Sequence, residues 1–372
     1  MLLDQRVGQS DREVAPVNIE DDNEGYETPH IMDALTRRDV LKAIGFSALA
    51  TQLHPVGVAA EGESAKAMRG VFIILNTPFT ATGEVAWQDL EREVAFVDRG
   101  GCSGVVWPQG SSGVTTLTKD ERLRGMEVLA NAVRGKRLTL VLGVQGKDTS
   151  EMLEYTARAN AHGVDAVIAM PPTTGTSLDD YRGYFKALGR ATTRPVIVQT
   201  SGGAKNLSPS VELIVDLAKE FPHMAYVKEE SDPLISRMRA ELASRPTMKG
   251  IFGASLGTGW LYEMRLGLDG IITGMGMYAD LMGRIWDMHE HGRHEDVRDA
   301  YSKFLLMRNL NEALPGTDLY VMKMRGIFST AVRRTSAPAA GTPAKLTEVK
   351  PTADDLKEIE FRFAALKPYL TL

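Results

Sequence analysis

From Gly70 onward the chain alternates short, nearly continuous apolar runs with longer stretches whose apolar residues recur every three to four positions. Eight runs are of the first kind: "GVFIILNTP", "SGVVWP", "LTLVLGV", "DAVIAMP", "PVIVQTS", "AYVKEE", "KGIFGAS" and "DGIITGM". Their apolar continuity predicts strands buried on both faces. Stretches such as "WQDLEREVAFVDRG", "TKDERLRGMEVLANAVRG", "DTSEMLEYTARANAHG", "SLDDYRGYFKALGRA" and "SPSVELIVDLAKEF" predict amphipathic helices between them. Several open on Asp, Ser or Thr and several close at glycine, the residue types that satisfy helix ends. No predicted strand is followed by a tight hairpin turn, so the sheet is parallel and covered on its outer face. Eight such units in about 210 residues predict an α/β fold of the TIM (β/α)8 barrel class. A doubly wound open sheet would carry a Gly-rich fingerprint after its first strand, and "NTPFTATGE" is not one.

Beyond Met277 the pattern is helical, in "LMGRIWDMHEHG", "HEDVRDAYSKFLLMRNLNEAL" and "TDLYVMKMRGIFSTAV". The Ala/Pro/Thr-rich "TSAPAAGTPAKLTEVKP" then predicts a flexible crossing to a last helix, "TADDLKEIEFRFAALKPYL". The chain thus divides into an N-terminal extension (1–66), a barrel (67–293) and a region of additional C-terminal helices (294–372).

Composition narrows the function. A chain of 372 residues with 43% hydrophobic content can bury a full core. Its net charge of -5, with no Lys/Arg stripe interleaved with aromatics, argues against nucleic acid as a partner. Cys102 is the single cysteine, so there is no intrachain disulfide, and no Cys/His spacing of the zinc type predicts a metal.

The N-terminal extension carries a different signal. Arg37 and Arg38 precede a modestly apolar run in "TRRDVLKAIGFSALATQL", and "GVAAEG" supplies small residues for cleavage after Ala60. This predicts a twin-arginine export signal and a periplasmic or otherwise exported protein. The apolar run is too short and too weakly hydrophobic for a stable membrane anchor. The acidic stretch before the arginines is unlike a signal n-region, and a start at Met32 would give an ordinary one, "MDALTRRDVLKAIGF".

Candidate chemistry centres on "AYVKEES". Strand alternation puts Tyr226, Lys228 and Glu230 on one face, with Val227 and Glu229 on the other. An inward lysine in a tight apolar barrel has its charged form disfavoured by desolvation, which frees a neutral amine to attack a carbonyl. The residues alone leave a second reading open, a solvated lysine at a strand end paired with Glu229 or Glu230.

Around these positions the chain resembles the dihydrodipicolinate synthase and N-acetylneuraminate lyase family of class I pyruvate aldolases. The resemblance runs from Gly70 to about His294 and rests on the order and spacing of "GVFIILNTPFTATGEV", "GVVWPQGSSGVTTLTKDER", "LVLGVQGKDTSEMLEYTARANAHGVDAVIAMPP" and "VKEES". It implies that Lys228 is a Schiff-base lysine. It also implies a carboxylate-binding turn after the second strand, where "GSSGV" replaces the family's Gly-Thr-Thr-Gly-Glu; Ser111 and Ser112 keep the hydroxyls and Val114 replaces the glutamate. After the fourth strand Thr173 and Thr174 stand where the family commonly carries a tyrosine pair, and Thr174 becomes a candidate substrate contact. After the fifth, Gln199 stands at the proton-transfer tyrosine. A glutamine can orient a substrate or hydrogen-bond an oxyanion, but it has no titratable proton.

Glu230, inward beside Lys228, is then the best local proton donor, with Tyr226 one layer deeper. Lys205 is near enough to replace the family's arginine for a distal carboxylate, and Gly274, at the end of the eighth strand, would line the pocket with backbone. The resemblance implies a small-molecule 2-oxo acid substrate, carbon–carbon lyase chemistry without a cofactor because the protonated imine is the electron sink, and a homo-oligomer, tetramer or dimer. A hydratase or dehydratase for 2-oxo or sugar acids, or a non-catalytic binder, are the alternatives on the same barrel. His289, His291 and His294 in "HEHGRH" are predicted to form a solvated helix terminus, and Cys102 a small core residue.

Overall fold

The computed structural model describes residue 66, residues 68–339 and residues 341–371. Met32, Arg37, Arg38 and Ala60, which carry the export reading, lie outside the described residues. Eight strands, β1 (Gly70–Ile74), β2 (Gly104–Trp107), β3 (Thr139–Gly143), β4 (Ala166–Ala169), β5 (Val196–Gln199), β6 (Tyr226–Lys228), β7 (Gly250–Gly253) and β8 (Gly270–Thr273), close into a parallel barrel in chain order. β8 returns to β1 through the register Gly70↔Gly270 to Ile73↔Thr273. The helices that follow each strand are α1 (Trp87–Arg99), α2 (Lys119–Ala132), α3 (Thr149–Ala161), α4 (Leu178–Ala191), α5 (Val211–Glu220), α6 (Leu234–Ala243), α7 (Trp260–Leu266) and α8 (Ala279–Glu290). The predicted TIM barrel is the observed fold.

Local chemistry sets the helix starts. Thr118, Asp148, Ser177 and Ser210 each accept a hydrogen bond from the backbone N–H three residues on, at the starts of α2 to α5. Each such cap is worth about 1 kcal/mol. Inside the barrel, Phe72, Ile74, Val106, Val141, Ala166, Ile168, Ile197, Phe252 and Ile272 form a cluster distinct from the larger one between strands and helices. Phe72 and Phe252 meet edge to face at 5.4 Å, so the barrel is plugged rather than open. Tyr226 packs against this plug, one layer below Lys228 as alternation predicts, and burial raises its hydroxyl above the ordinary value.

The C-terminal region comprises α9 (His294–Ala313), α10 (Thr317–Met324), β9 (Val332–Arg334), β10 (Leu346–Glu348) and α11 (Ala353–Ala364). Two expectations need correction here. The helical pattern after Thr317 stops at Met324, and Gly326 at φ +69° turns the chain away. The Ala/Pro/Thr-rich stretch is not a free crossing, because β9 and β10 pair antiparallel through Arg334↔Leu346 and Val332↔Glu348. Long-range bonds to Arg334 account for this. Only 5% exposed, it donates through Nε to Gly83 O at 2.6 Å, pairs with Glu121 at 2.8 Å and lies 4.5 Å over the Phe79 ring. Composition reports none of these partners.

Cys102 is half-buried against the core and its thiol donates to Ala279 O at 3.1 Å. His289 lies in the last turn of α8 and His294 opens α9. Among the described residues no group of three or more His, Cys, Asp or Glu is placed to hold a metal ion, and no helix is long and apolar enough to cross a membrane.

Candidate active site

All eight strands run in one direction, so their carboxyl ends share one face of the barrel, the face where such barrels place their chemistry. Two polar clusters stand there. β5 and β6 build the first. Gln199 and Lys228 are register partners at the last positions of these strands, and each is only 4% exposed. Lys228 Nζ lies 2.9 Å from Glu230 Oε2. Ser201 Oγ donates to the same carboxylate oxygen at 2.5 Å, and Gln199 Nε2 donates to Ser201 Oγ at 3.0 Å.

This chain of four groups has a fixed direction. A carboxylate only accepts, so Ser201 gives its single proton to Glu230 and accepts from Gln199, which turns the amide nitrogen of Gln199 toward Ser201 and its oxygen away. Gln199 Oε1 is buried and has no hydrogen-bond partner among the described residues. An unpaired buried acceptor costs about 1–3 kcal/mol.

Burial over the apolar plug lowers the Lys228 ammonium below its ordinary pKa, and the charge and hydrogen bond of Glu230 oppose that shift without cancelling it. Lys228 therefore combines features of both readings of the sequence: it is ion-paired with Glu230, yet buried. Glu229, pointing to the outer face, pairs with Arg237 at 2.9 Å instead.

The ends of β1, β2 and β8 build the second cluster. Ser111 and Ser112 lie in a short 3-10 turn, Gly110–Ser112, after β2. Buried Ser112 accepts from Gln109 N–H through Oγ at 3.1 Å, which leaves its hydroxyl proton to donate. Thr77 Oγ1 locks the turn, donating to Ser112 O at 2.7 Å and accepting from Trp107 Nε1 at 3.0 Å. Ser111 is exposed, and its side chain fills the space over Gly274, where an added Cβ would lie 2.4 Å from Ser111 Cβ. Gly274 thus gives room to a candidate hydroxyl, beyond the backbone lining predicted for it. Ser111, Ser112 and Gly274 line a cavity of about 300 Å3 whose far wall includes Asp318, Arg333 and Arg334.

Two predicted contacts stand apart from both clusters. Thr174 is exposed, its hydroxyl donates to Lys147 O at 2.8 Å, and the cavity it lines lies against Asp148 and Tyr184. Lys205 is exposed beyond β5 and makes no ion pair among the described residues. Neither makes a hydrogen bond or ion pair with Lys228, whose partner among the described residues is Glu230.

A sequence profile of the dihydrodipicolinate synthetase family matches residues 67–342. The chain belongs to that family. Its membership gives the barrel a lyase-type function. One relative in the family, the 4-hydroxy-tetrahydrodipicolinate synthase of Parabacteroides distasonis, is 26% identical over 275 residues, 73% of this chain and 92% of the relative. Another, the L-2-keto-3-deoxyarabonate dehydratase of Azospirillum brasilense, is 24% identical over 277 residues, 73% of this chain and 89% of the relative. Among solved structures, the dihydrodipicolinate synthase of Aquifex aeolicus superposes with a TM-score of 0.68 at 18% identity, covering 82% of this chain and 100% of that one. At that identity the likeness is one of fold. The sequence reading of this family member missed three contributors: Ser201, Thr77 and the β9–β10 wall. Ser201 was within reach of the pattern, two positions beyond Gln199. Thr77 and Arg333 had no sequence signal, because their roles depend on partners 30 residues or more away or on which side of the mouth the hairpin lies.

Proposed function

We propose that the chain is a Schiff-base-forming carbon–carbon lyase for a pyruvate-like 2-oxo acid, with Lys228 as the nucleophile. The observation that carries this reading is the buried amine at the end of β6, 2.9 Å from a carboxylate and with its charged form disfavoured. The Lys228 amine adds to the C2 carbonyl, water leaves, and the protonated imine withdraws electrons from C3 without a cofactor. Glu230 is the group that carries protons to and from the reacting atoms, since Gln199 holds none to give. The hydroxyls of Ser111 and Ser112 suit the substrate carboxylate, and their turn is held rigid by Thr77. The family's habit supports a homo-oligomer, tetramer or dimer, which light scattering of the purified protein would weigh. The Arg37–Arg38 pattern supports export, which fractionation of cells expressing the full chain would test.

Borohydride trapping tests the central step. Incubation with pyruvate, reduction and peptide mapping should place the adduct on Lys228. An unmodified Lys228 after trials with pyruvate and other 2-oxo acids would sink the lyase reading and leave a non-catalytic binder.

A further inference from the structure

One buried acid takes no part in the chemistry at Lys228. Glu93 lies on the buried face of α1 with Leu90, Val94 and Val97, and none of it is exposed. Its Oε1 accepts the backbone N–H of Asn76, just beyond β1, at 3.2 Å. Gly276 leaves space for the carboxyl, since an added Cβ there would lie 2.3 Å from Glu93 Oε1 and 3.5 Å from Asn76 Oδ1. Leu75 N still donates to Val106 O at 3.0 Å, so strand alternation carries on past inward Ile74 and puts Asn76 on the inner side, where it lines the same cavity as Ser111, Ser112 and Gly274. Two oxygens are left open: Glu93 Oε2 and Asn76 Oδ1 are both buried and have no hydrogen-bond partner among the described residues. Burial raises the pKa of Glu93 well above its ordinary value, opposed by the bond from Asn76 N–H. The favoured form is the acid, whose O–H can donate to an amide oxygen.

The serine turn by itself is short of donors for a carboxylate, which offers about four acceptor positions. Ser111 and Ser112 bring one hydroxyl proton each, and Thr77 has spent its own on Ser112 O. Of the other donors lining the cavity, Arg333 is paired with Asp318 on the far wall, and Asn311 is tied to the Asp318 N–H. We propose that Asn76 is a third binding residue for the substrate carboxylate, donating through Nδ2 beside the hydroxyls of Ser111 and Ser112, and that Glu93 is a positioning residue, holding the Asn76 backbone through Oε1 and its amide oxygen through Oε2. The proposal rests on the Schiff-base reading above and adds a contact to its carboxylate site. An amide whose oxygen is held by Glu93 presents its nitrogen to the cavity, which suits an anion and sets no like charge against it.

The test uses the intact protein with two probes that share a carbonyl, pyruvate and methyl pyruvate, the second of which has no carboxylate. Borohydride trapping at Lys228 gives a half-saturating concentration for each. Asn76→Leu should raise that of pyruvate by about 10- to 100-fold, the worth of a hydrogen bond to a charged group, and leave that of methyl pyruvate within about twofold of wild type. Asn76→Asp, nearly the same in size, should raise the pyruvate value at least as far, because it sets like charges together. Glu93→Met should reproduce the loss for pyruvate, and Glu93→Gln, which keeps an acceptor for the Asn76 N–H and a donor for its amide oxygen, should restore most of it. An unchanged pyruvate value in the Asn76 variants overturns the proposal, as do equal losses for both probes, or a Glu93→Gln no better than Glu93→Met. Wild-type trapping by pyruvate alongside any of these results leaves the Schiff-base reading standing, whereas no trapping with either probe overturns both. Thermal melts check folding; where Asn76→Leu or Glu93→Met does not fold, Asn76→Asp decides.

Discussion

Two buried polar networks lie back to back across β5 and β6, and they are finished differently. On the outer face Glu229 Oε1 accepts from Thr200 Oγ1 and from Ser231 N–H, both at 2.7 Å, and its Oε2 accepts from Arg237 Nε at 3.0 Å. Arg237 continues to Pro209 O at 2.7 Å, so this carboxylate and this guanidinium are satisfied by the fold itself. Burial, then the hydrogen bond and charge of Glu229, raise the pKa of Glu241 beside them above its ordinary value. On the inner face the chain from Gln199 to Lys228 ends in an acceptor with no partner among the described residues and an amine whose charge is disfavoured. Neighbouring carboxylates of one strand end, Glu229 and Glu230, thus meet different partners: Glu229 a guanidinium, a hydroxyl and a backbone N–H, Glu230 a serine hydroxyl and an amine.

The sharpest way to break this comparison is Lys228→Met. It should abolish borohydride trapping and lower turnover by at least about 10^3-fold, since no other group in the inner chain is an amine that can form an imine. Trapping that survives would show that the wrong lysine was chosen. On the outer face Glu229→Ala should cost about 3–5 kcal/mol of stability, because it leaves Arg237 charged, largely buried and uncompensated. Urea unfolding measures that loss, and pyruvate trapping at Lys228 should persist in the folded fraction.

Glu230→Gln should lower turnover by about 10^2–10^4-fold with only a modest change in stability. It should also shift the pH dependence of trapping in a stated direction. Imine formation needs the neutral amine, and the Glu230 charge raises the Lys228 pKa against the lowering by burial. Trapping in the wild type should therefore rise with pH about a midpoint below 10.5, and removing the charge should move that midpoint lower still. A midpoint that rises in Glu230→Gln would contradict the ion pair.

The smallest effect belongs to Glu241→Gln. Because burial disfavours the charged carboxyl there, its amide should change stability by no more than about 1 kcal/mol near neutral pH. What it should change is the pH dependence. A carboxyl with a raised folded pKa contributes stability that is fully present below its ordinary value of 4.5 and is lost as pH rises toward the folded value, by up to about 1.4 kcal/mol per pH unit. Unfolding free energies measured across that interval should slope downward in the wild type and be flatter in the variant.

What was readable in the sequence followed from local periodicity. Eight apolar runs separated by capped helices specify a parallel barrel, because each run has two faces to bury and no hairpin turn to reverse it. The same alternation placed Lys228 and Glu230 inward and Glu229 outward, as the ion pairs of 2.9 Å on either side of the strand bear out. Composition misled at the Ala/Pro/Thr-rich stretch, where Arg334 ties β9 to Gly83 and Glu121 across more than 200 positions. Spacing to the family's motifs also proposed Thr174 and Lys205; both are exposed, and the Thr174 hydroxyl is taken up by Lys147 O. By itself, then, the sequence determined the barrel, its direction and the inward place of Lys228 at a strand end, because these rest on patterns that repeat within a few residues. Tertiary structure alone decided that Ser201 joins Gln199 to Glu230, that Gln199 presents an open oxygen, and that Ser111 sits over Gly274, because each depends on strands or turns brought together by closing the barrel.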